Sequence, residues 1–146
     1  NNFSNDFVQQ INDKLDVVEK DDEPCALVTI SNLDKFFSTG LDLKFIQSIK
    51  NISGFYGFIS DYNRLLGRIL CLNCPTVCVV NGYCIAGGAT LAFAHDYRFM
   101  VPEKAFVCLN EVEMGAVLPP AMMAVTRAKF TQDVQRDMIL TAKRFK

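Results

Sequence analysis

Residues 75–96 read PTVCVVNGYCIAGGATLAFAHD, and this segment sets the expected fold. It divides into an apolar β-type run at Thr76–Val80, a turn at Asn81-Gly82, and Gly87-Gly88 opening a helical run to His95. A strand that feeds a glycine-bearing helix start gathers unpaired backbone N–H groups and the positive end of a helix dipole at one point. Lacking Cβ atoms, Gly87 and Gly88 let another molecule approach that backbone closely. Such a point suits a group that carries or develops negative charge.

On the N-terminal side, Pro75 ends a helix and restarts the chain as a strand. In that helix Phe58, Tyr62, Leu65 and Ile69 mark one face. Asn51–Gly54 separates it from a short helix that stops near Ile49, itself preceded by Phe36-Phe-Ser-Thr-Gly-Leu-Asp-Leu43 with Gly40 as the backbone pivot. Cys25–Ser31 (CALVTIS) has the apolar character of a strand buried in a covered sheet. The run EKDDEP (19–24) reads as a solvated turn. Phe7, Ile11, Leu15 and Val18 recur at helical spacing and predict an amphipathic helix over 3–19. Ser4 is its N-cap, and Phe3 with Val8 occupies the positions of a hydrophobic staple.

On the C-terminal side come a strand at Tyr97–Val101, a Pro-Glu-Lys turn, and a second apolar run at Phe106–Leu109. Asn110-Glu111 and Val112–Gly115 follow. Pro119-Pro120 initiates a helix through Lys129, and Thr131 caps a last one containing Val134, Met138 and Ile139. Short apolar strands alternating with helices predict an α/β fold built from βαβ or ββα units in one domain.

Composition removes several function classes. Fifteen basic residues stand against sixteen acidic ones, a formal charge of −1, so no global field marks a nucleic-acid or anionic-membrane partner. No apolar run reaches the roughly 18 residues of a membrane-spanning helix, so no stable membrane insertion is expected. The opening NNFSNDFVQQ lacks the basic and apolar segments of a signal peptide. Of the six cysteines, Cys71 and Cys74 form a CxxC, but no second CxxC follows and the one histidine lies within a helix. No metal site is expected; reduced, buried thiols in an intracellular protein fit better.

Three constellations can do chemistry: the turn Ser38-Thr39-Gly40-Leu41-Asp42, the Gly87-Gly88 helix start, and the lone carboxylate of Asn110-Glu111. Gly82 to Gly88 fails as a phosphate loop, because Gly-Ala follows where Lys-Ser/Thr would be needed. The order, spacing and flanks of the three are similar to those of the crotonase, or enoyl-CoA hydratase/isomerase, superfamily. Phe37-Ser-Thr-Gly-Leu-Asp-Leu43 resembles its FSAGxDL loop, and Asn81–Ala92 with Asp96 resembles its NGxxxGGGxxLAxxxD signature. Leu109–Gly115 resembles its PEVxLG segment and Ile139–Phe145 its LTGxxF run.

The resemblance implies the ββα spiral (ClpP-like) fold and an oxyanion hole for an acyl-CoA thioester, made by the backbone N–H groups of Leu41 and Gly87. It places Ser38, Thr39, Gly40 and Asp42 along the CoA channel through backbone contacts, and Asn110 beside the thioester. Hydratases of the family carry two catalytic glutamates. One matches Glu111; the other falls at Thr90, and a hydroxyl is no general base near neutral pH without a partner. The set therefore resembles the Δ3,Δ2-enoyl-CoA isomerase branch, in which one glutamate shifts a proton from C2 to C4 of a fatty enoyl-CoA. Leu109, Val112, Val117 and Leu118 are expected to surround Glu111 and raise its pKa. Glu113 is the rival carboxylate if the chain stays extended, while His95 and Asp96 are structural.

No cofactor is implied, coenzyme A being part of the substrate. The alternatives are a hydratase or another acyl-CoA enzyme of the same fold, and a non-catalytic acyl-CoA-binding or assembly domain. Residues 1–146 correspond to the core domain, without the family's first strand or the C-terminal helical part that completes the CoA site and the trimer or hexamer contacts. The run AHDYRFM (94–100) resembles plant peroxisomal isomerases, which favours peroxisome over mitochondrion.

Overall fold

A computed structural model describes all residues from Asn1 to Lys146. A two-residue strand, β1 (Asn2–Phe3), leads into α1 (Asn5–Glu19). The Ser4 hydroxyl accepts the Phe7 N–H, as expected of an N-cap, and Phe3 and Val8 are both buried. The chain continues through β2 (Leu27–Ile30), β3 (Phe36–Ser38), β4 (Gly40–Leu41), α2 (Leu43–Ser48) and α3 (Ile52–Leu70). Next come β5 (Thr76–Val80), β6 (Tyr83–Ile85), α4 (Gly87–Ala94), β7 (Tyr97–Met100) and β8 (Phe106–Cys108). A 3-10 turn at Glu111–Met114, α5 (Pro120–Lys129) and α6 (Gln132–Thr141) complete it.

All strand pairs between these elements are parallel. One sheet has the order β2-β5-β7, a second β3-β6-β8, and β1 pairs with β4 alone. The chain visits the first sheet, then the second, then a helix or helical turn, and repeats the cycle. This is a ββα spiral, the expected class.

Strand β6 is the element that the sequence reading does not separate from the turn before it. Three residues are too few for a period-2 pattern to show. Its place is set laterally: the Tyr83 ring lies edge-on to Phe36 at 5.5 Å and 4.5 Å from Phe106, one residue from each flanking strand. Helix α4 is buried at all eight positions, which is why its run reads as uniformly apolar. The predicted face of α3 (Phe58, Tyr62, Leu65, Ile69) is buried in the same core.

Cys78, Cys84 and Cys108 are buried, and burial raises the thiol of each. The other three cysteines depart from the expectation of buried thiols. Cys71 is exposed and Cys25 and Cys74 are half-buried where the chain enters β2 and β5; burial first, and the neighbouring Cys74 thiol second, raise the pKa of Cys25.

Two features of α4 give testable consequences. Ala86 precedes it with φ 53° and ψ −121°, a conformation open mainly to glycine. Strain of this kind costs about 1–3 kcal/mol, part of which glycine would return to unfolded-chain entropy. Ala86→Gly is expected to stabilise the fold by about 1 kcal/mol, read as a higher urea midpoint at constant m-value.

At the other end, His95 is fully buried. Its Nδ1 lies 2.9 Å from the Leu91 carbonyl, to which it donates, and Nε2 accepts from the Thr29 hydroxyl at 2.8 Å. Both nitrogens are satisfied by a neutral ring. Burial, helped by Arg98 and Lys129 and opposed by the Leu91 bond and Asp96, lowers its pKa. A depressed folded-state value means that stability is intact above the unfolded pKa of about 6.5 and is lost as pH falls below it. Urea midpoints should therefore drop between neutral and mildly acidic pH, with a smaller drop in His95→Gln.

Candidate active site

Two backbone segments meet with no room for side chains between them. Gly40 has φ +88°, and a Cβ there would stand 2.8 Å from the Gly87 nitrogen and 3.0 Å from Ala86 Cβ. A Cβ on Gly88 would stand 2.6 Å from the Ser38 carbonyl oxygen. The turn Ser38–Leu41 is thus seated directly on the start of α4.

That contact brings together two N–H groups that the secondary structure leaves free of ladder or helix partners. Gly87 is the first residue of α4, whose opening N–H groups have no intrahelical acceptor. In the β1–β4 ladder the Asp42 N–H donates to Phe3 O at 2.9 Å, so the Leu41 N–H lies on the edge where β4 has no partner strand.

A cavity of about 780 Å³ opens beside this junction. Its walls include Thr39, Leu41, Asp42, Gly87, Asn110 and Glu111, six of the eight predicted site residues. Apolar side chains complete it, among them Ile46, Phe55, Ile59, Met114 and Met122. The Thr39 hydroxyl donates to Asn2 Oδ1 at 2.6 Å. The Asp42 carboxylate caps α2, accepting from Lys44 and Phe45 N–H at 2.9 and 3.0 Å.

Ser38 and Gly40, expected along the channel, are not among its walls. Ser38 is buried, donates to Asn1 O at 2.7 Å, accepts from Gly40 N–H at 3.2 Å, and faces a second cavity between α1 and β2. Gly40 serves by its missing side chain.

Glu111 begins the 3-10 turn, with Oε2 buried and without a partner. Asn110 Oδ1 is likewise buried and unpartnered. Burial pushes the Glu111 carboxyl above its ordinary value, against a smaller lowering by its own backbone N–H. The expected apolar collar is only half present: Leu109 and Leu118 are buried, whereas Val112 and Val117 are 47% and 89% exposed. Glu113 is exposed and outside the cavity walls. The turn conformation separates it from Glu111, because residues two apart share a face only in an extended chain.

Thr90 is fully buried and also absent from the walls. Its Oγ1 lies 3.0 Å from Gly87 O and 2.9 Å from the Tyr62 hydroxyl, which itself donates to Gly87 O. Tyr62 reads in the sequence only as one residue of an apolar helix face. The signal it carries is general: a buried tyrosine hydroxyl needs a partner. No cluster of three or more His, Cys, Asp or Glu side chains has metal-holding geometry.

Comparison with solved structures shows that this is the crotonase fold. The chain superimposes on an enoyl-CoA hydratase from Bacillus anthracis with TM-score 0.90 at 19% identity, over 99% of this chain and 55% of that one. An enoyl-CoA hydratase structure from Geobacillus kaustophilus gives the same TM-score, 0.90, at 23% identity. The sequence profile of the enoyl-CoA hydratase/isomerase family matches residues 1–146, and the chain belongs to that family.

Among curated relatives, it is 31% identical to enoyl-CoA delta isomerase 2, peroxisomal, of Arabidopsis thaliana, over 82% of this chain and 52% of the relative. It is 28% identical to the human enoyl-CoA delta isomerase 1, mitochondrial, over 82% and 39%. The chain spans about half the length of such relatives.

Proposed function

We propose that the protein is an enoyl-CoA Δ-isomerase that moves a double bond of an unsaturated fatty acyl-CoA by a 1,3-proton shift. The observation that carries this reading is the single buried, unpartnered carboxylate of Glu111 in the cavity wall, with Thr90 turned away from that cavity. Relatives named enoyl-CoA delta isomerases, at about 30% identity, support it.

Glu111 takes the proton from C2. The electron pair delocalises onto the thioester oxygen, where the Leu41 and Gly87 N–H groups and the α4 dipole stabilise it. Glu111 then returns the proton at C4. A carboxyl with a raised pKa suits both roles, since neither protonation state is far out of reach. The shift conserves every atom and electron and consumes no cofactor. The apolar wall takes the acyl chain; Thr39, Asp42 and Asn110 bound the thioester and CoA side.

With 3-enoyl-CoA as substrate, full-length protein should produce the conjugated 2-enoyl thioester, seen as rising ultraviolet absorbance. A second reading, hydration, is favoured by one observation: Asn110 Oδ1 and Glu111 Oε2 are two unpartnered acceptors in one wall, able to hold a water. Loss of 2-enoyl-CoA absorbance at a comparable rate would establish hydration in place of isomerisation. Thioester binding with neither reaction would point to an acyl-CoA-binding domain. The peroxisomal names of two plant relatives favour that compartment over the mitochondrial one in the human relative's name. We also propose a homotrimer or hexamer for the full-length protein, to be checked by sedimentation.

A further inference from the structure

The two N–H groups beside the cavity come from segments with no covalent rigidity between them, and one side chain reaches the Gly87 segment directly and the Leu41 segment through Phe3. The Tyr62 ring lies 4.9 Å from the ring of Phe3. Phe3 is the β1 residue in register with Leu41, and its carbonyl holds the next N–H of that segment, on Asp42. At its other end, the Tyr62 hydroxyl donates to the carbonyl of Gly87 and sits 3.4 Å from where a Gly87 Cβ would be. Thr90 closes the arrangement from within α4, 3.0 Å from the same carbonyl and 2.9 Å from the Tyr62 oxygen.

Proton accounting defines what these hydroxyls can do. Each has one hydrogen to give. The Tyr62 proton goes to Gly87 O, and the Thr90 proton goes to Gly87 O or to the Tyr62 oxygen, so both are used inside the triangle. Both side chains are fully buried and neither lines the cavity. Burial also raises the Tyr62 pKa, so the phenol stays protonated. Neither group can deliver a proton to substrate or orient a water there. What they can do is fix the first residue of α4 against α3 and β1.

Resting on the isomerase reading, we propose that Tyr62 and Thr90 are positioning residues that hold the Gly87 N–H at a set separation from that of Leu41, so that both meet one developing oxyanion. Preorganised donors act only when aimed before charge appears. Loss of the brace costs turnover rather than substrate affinity, because the oxygen carries its full charge only after C2 is deprotonated.

The test uses Tyr62→Phe, Thr90→Val and Thr90→Ser in the full-length protein. Two readouts are followed: kcat and KM with 3-enoyl-CoA, and the near-ultraviolet enolate band of bound acetoacetyl-CoA, which reports oxyanion stabilisation without turnover. Tyr62→Phe keeps the ring on Phe3 and removes only the hydroxyl. It should lower kcat about tenfold to a hundredfold, the scale expected of a small misplacement, with KM nearly unchanged and a weaker enolate band. Thr90→Val should do the same, and Thr90→Ser should restore both readouts. Lower thermal stability with unchanged kcat and enolate band would make the triangle purely structural and overturn the proposal. Failure of Thr90→Ser to restore would remove Thr90 from it. If the wild type does not isomerise, the isomerase reading falls while the enolate band still decides whether the donors are positioned this way.

Discussion

Glu111→Gln is expected to lower kcat for 3-enoyl-CoA isomerisation by about 10²- to 10⁴-fold, the range for removing a general acid–base group, with thioester binding nearly intact. The amide keeps the shape and can neither take nor return the C2 proton. Stability should move the other way. Burial raises the Glu111 pKa, so ionising it in the folded protein is disfavoured. For a raised folded-state value, the stabilising contribution is complete below the unfolded pKa and lost as pH rises through the folded one. Above the folded-state pKa that contribution is gone, and there Glu111→Gln should melt at the same temperature as wild type or higher. The same direction predicts that kcat/KM rises with pH through a value above the ordinary carboxylate range. A variant that keeps wild-type turnover would move the base to another carboxylate.

Gly40→Ala is expected to damage fold and catalysis together. The backbone sits at φ +88°, and the added methyl would stand 2.8 Å from the Gly87 nitrogen, itself the proposed donor. Backbone cannot yield as a flexible side-chain end can, so the Ser38–Leu41 turn must lift away from α4. We expect a loss of about 2–4 kcal/mol in unfolding free energy, in the upper range for single substitutions. A kcat loss of about 10²-fold or more should accompany it, the scale of losing one oxyanion donor. Gly57→Ala in α3 is the control, since nothing lies within 4 Å of a Cβ there. It should stabilise by about 1 kcal/mol through helix propensity. Urea denaturation and steady-state kinetics on the two variants check both halves; equal effects would refute the steric argument.

The departure at Thr90 shows what a residue type alone can say. A hydroxyl where a carboxylate would be needed removes one route to hydration, and that much is legible from the chain. Where the hydroxyl goes is not. Its partners, Tyr62 in α3 and the Gly87 carbonyl, lie 28 and 3 residues away, and only the packing of α3 on α4 makes them a triangle. Likewise, an extended chain after Leu109 would have set Glu113 beside Glu111. The 3-10 turn separated them, and nothing in Val112–Gly115 announces such a turn.

Local chemistry was readable wherever it depends on near neighbours. Ser4 caps α1, Pro75 directly precedes β5 although α3 already stops at Leu70, and the apolar face Phe58, Tyr62, Leu65 and Ile69 is buried because its spacing matches the helix period. The run at 75–96 was enough to imply a strand delivering a helix start with open N–H groups. Tertiary structure decided the rest through contacts distant in sequence. Lateral pairing made a strand of Tyr83–Ile85, and the approach of Gly40 and Gly88 seated one turn on another. Burial in a shared cavity, rather than adjacent valines, raised Glu111. Periodicity and capping are properties of a few consecutive residues; desolvation and donor geometry exist only once separate segments meet.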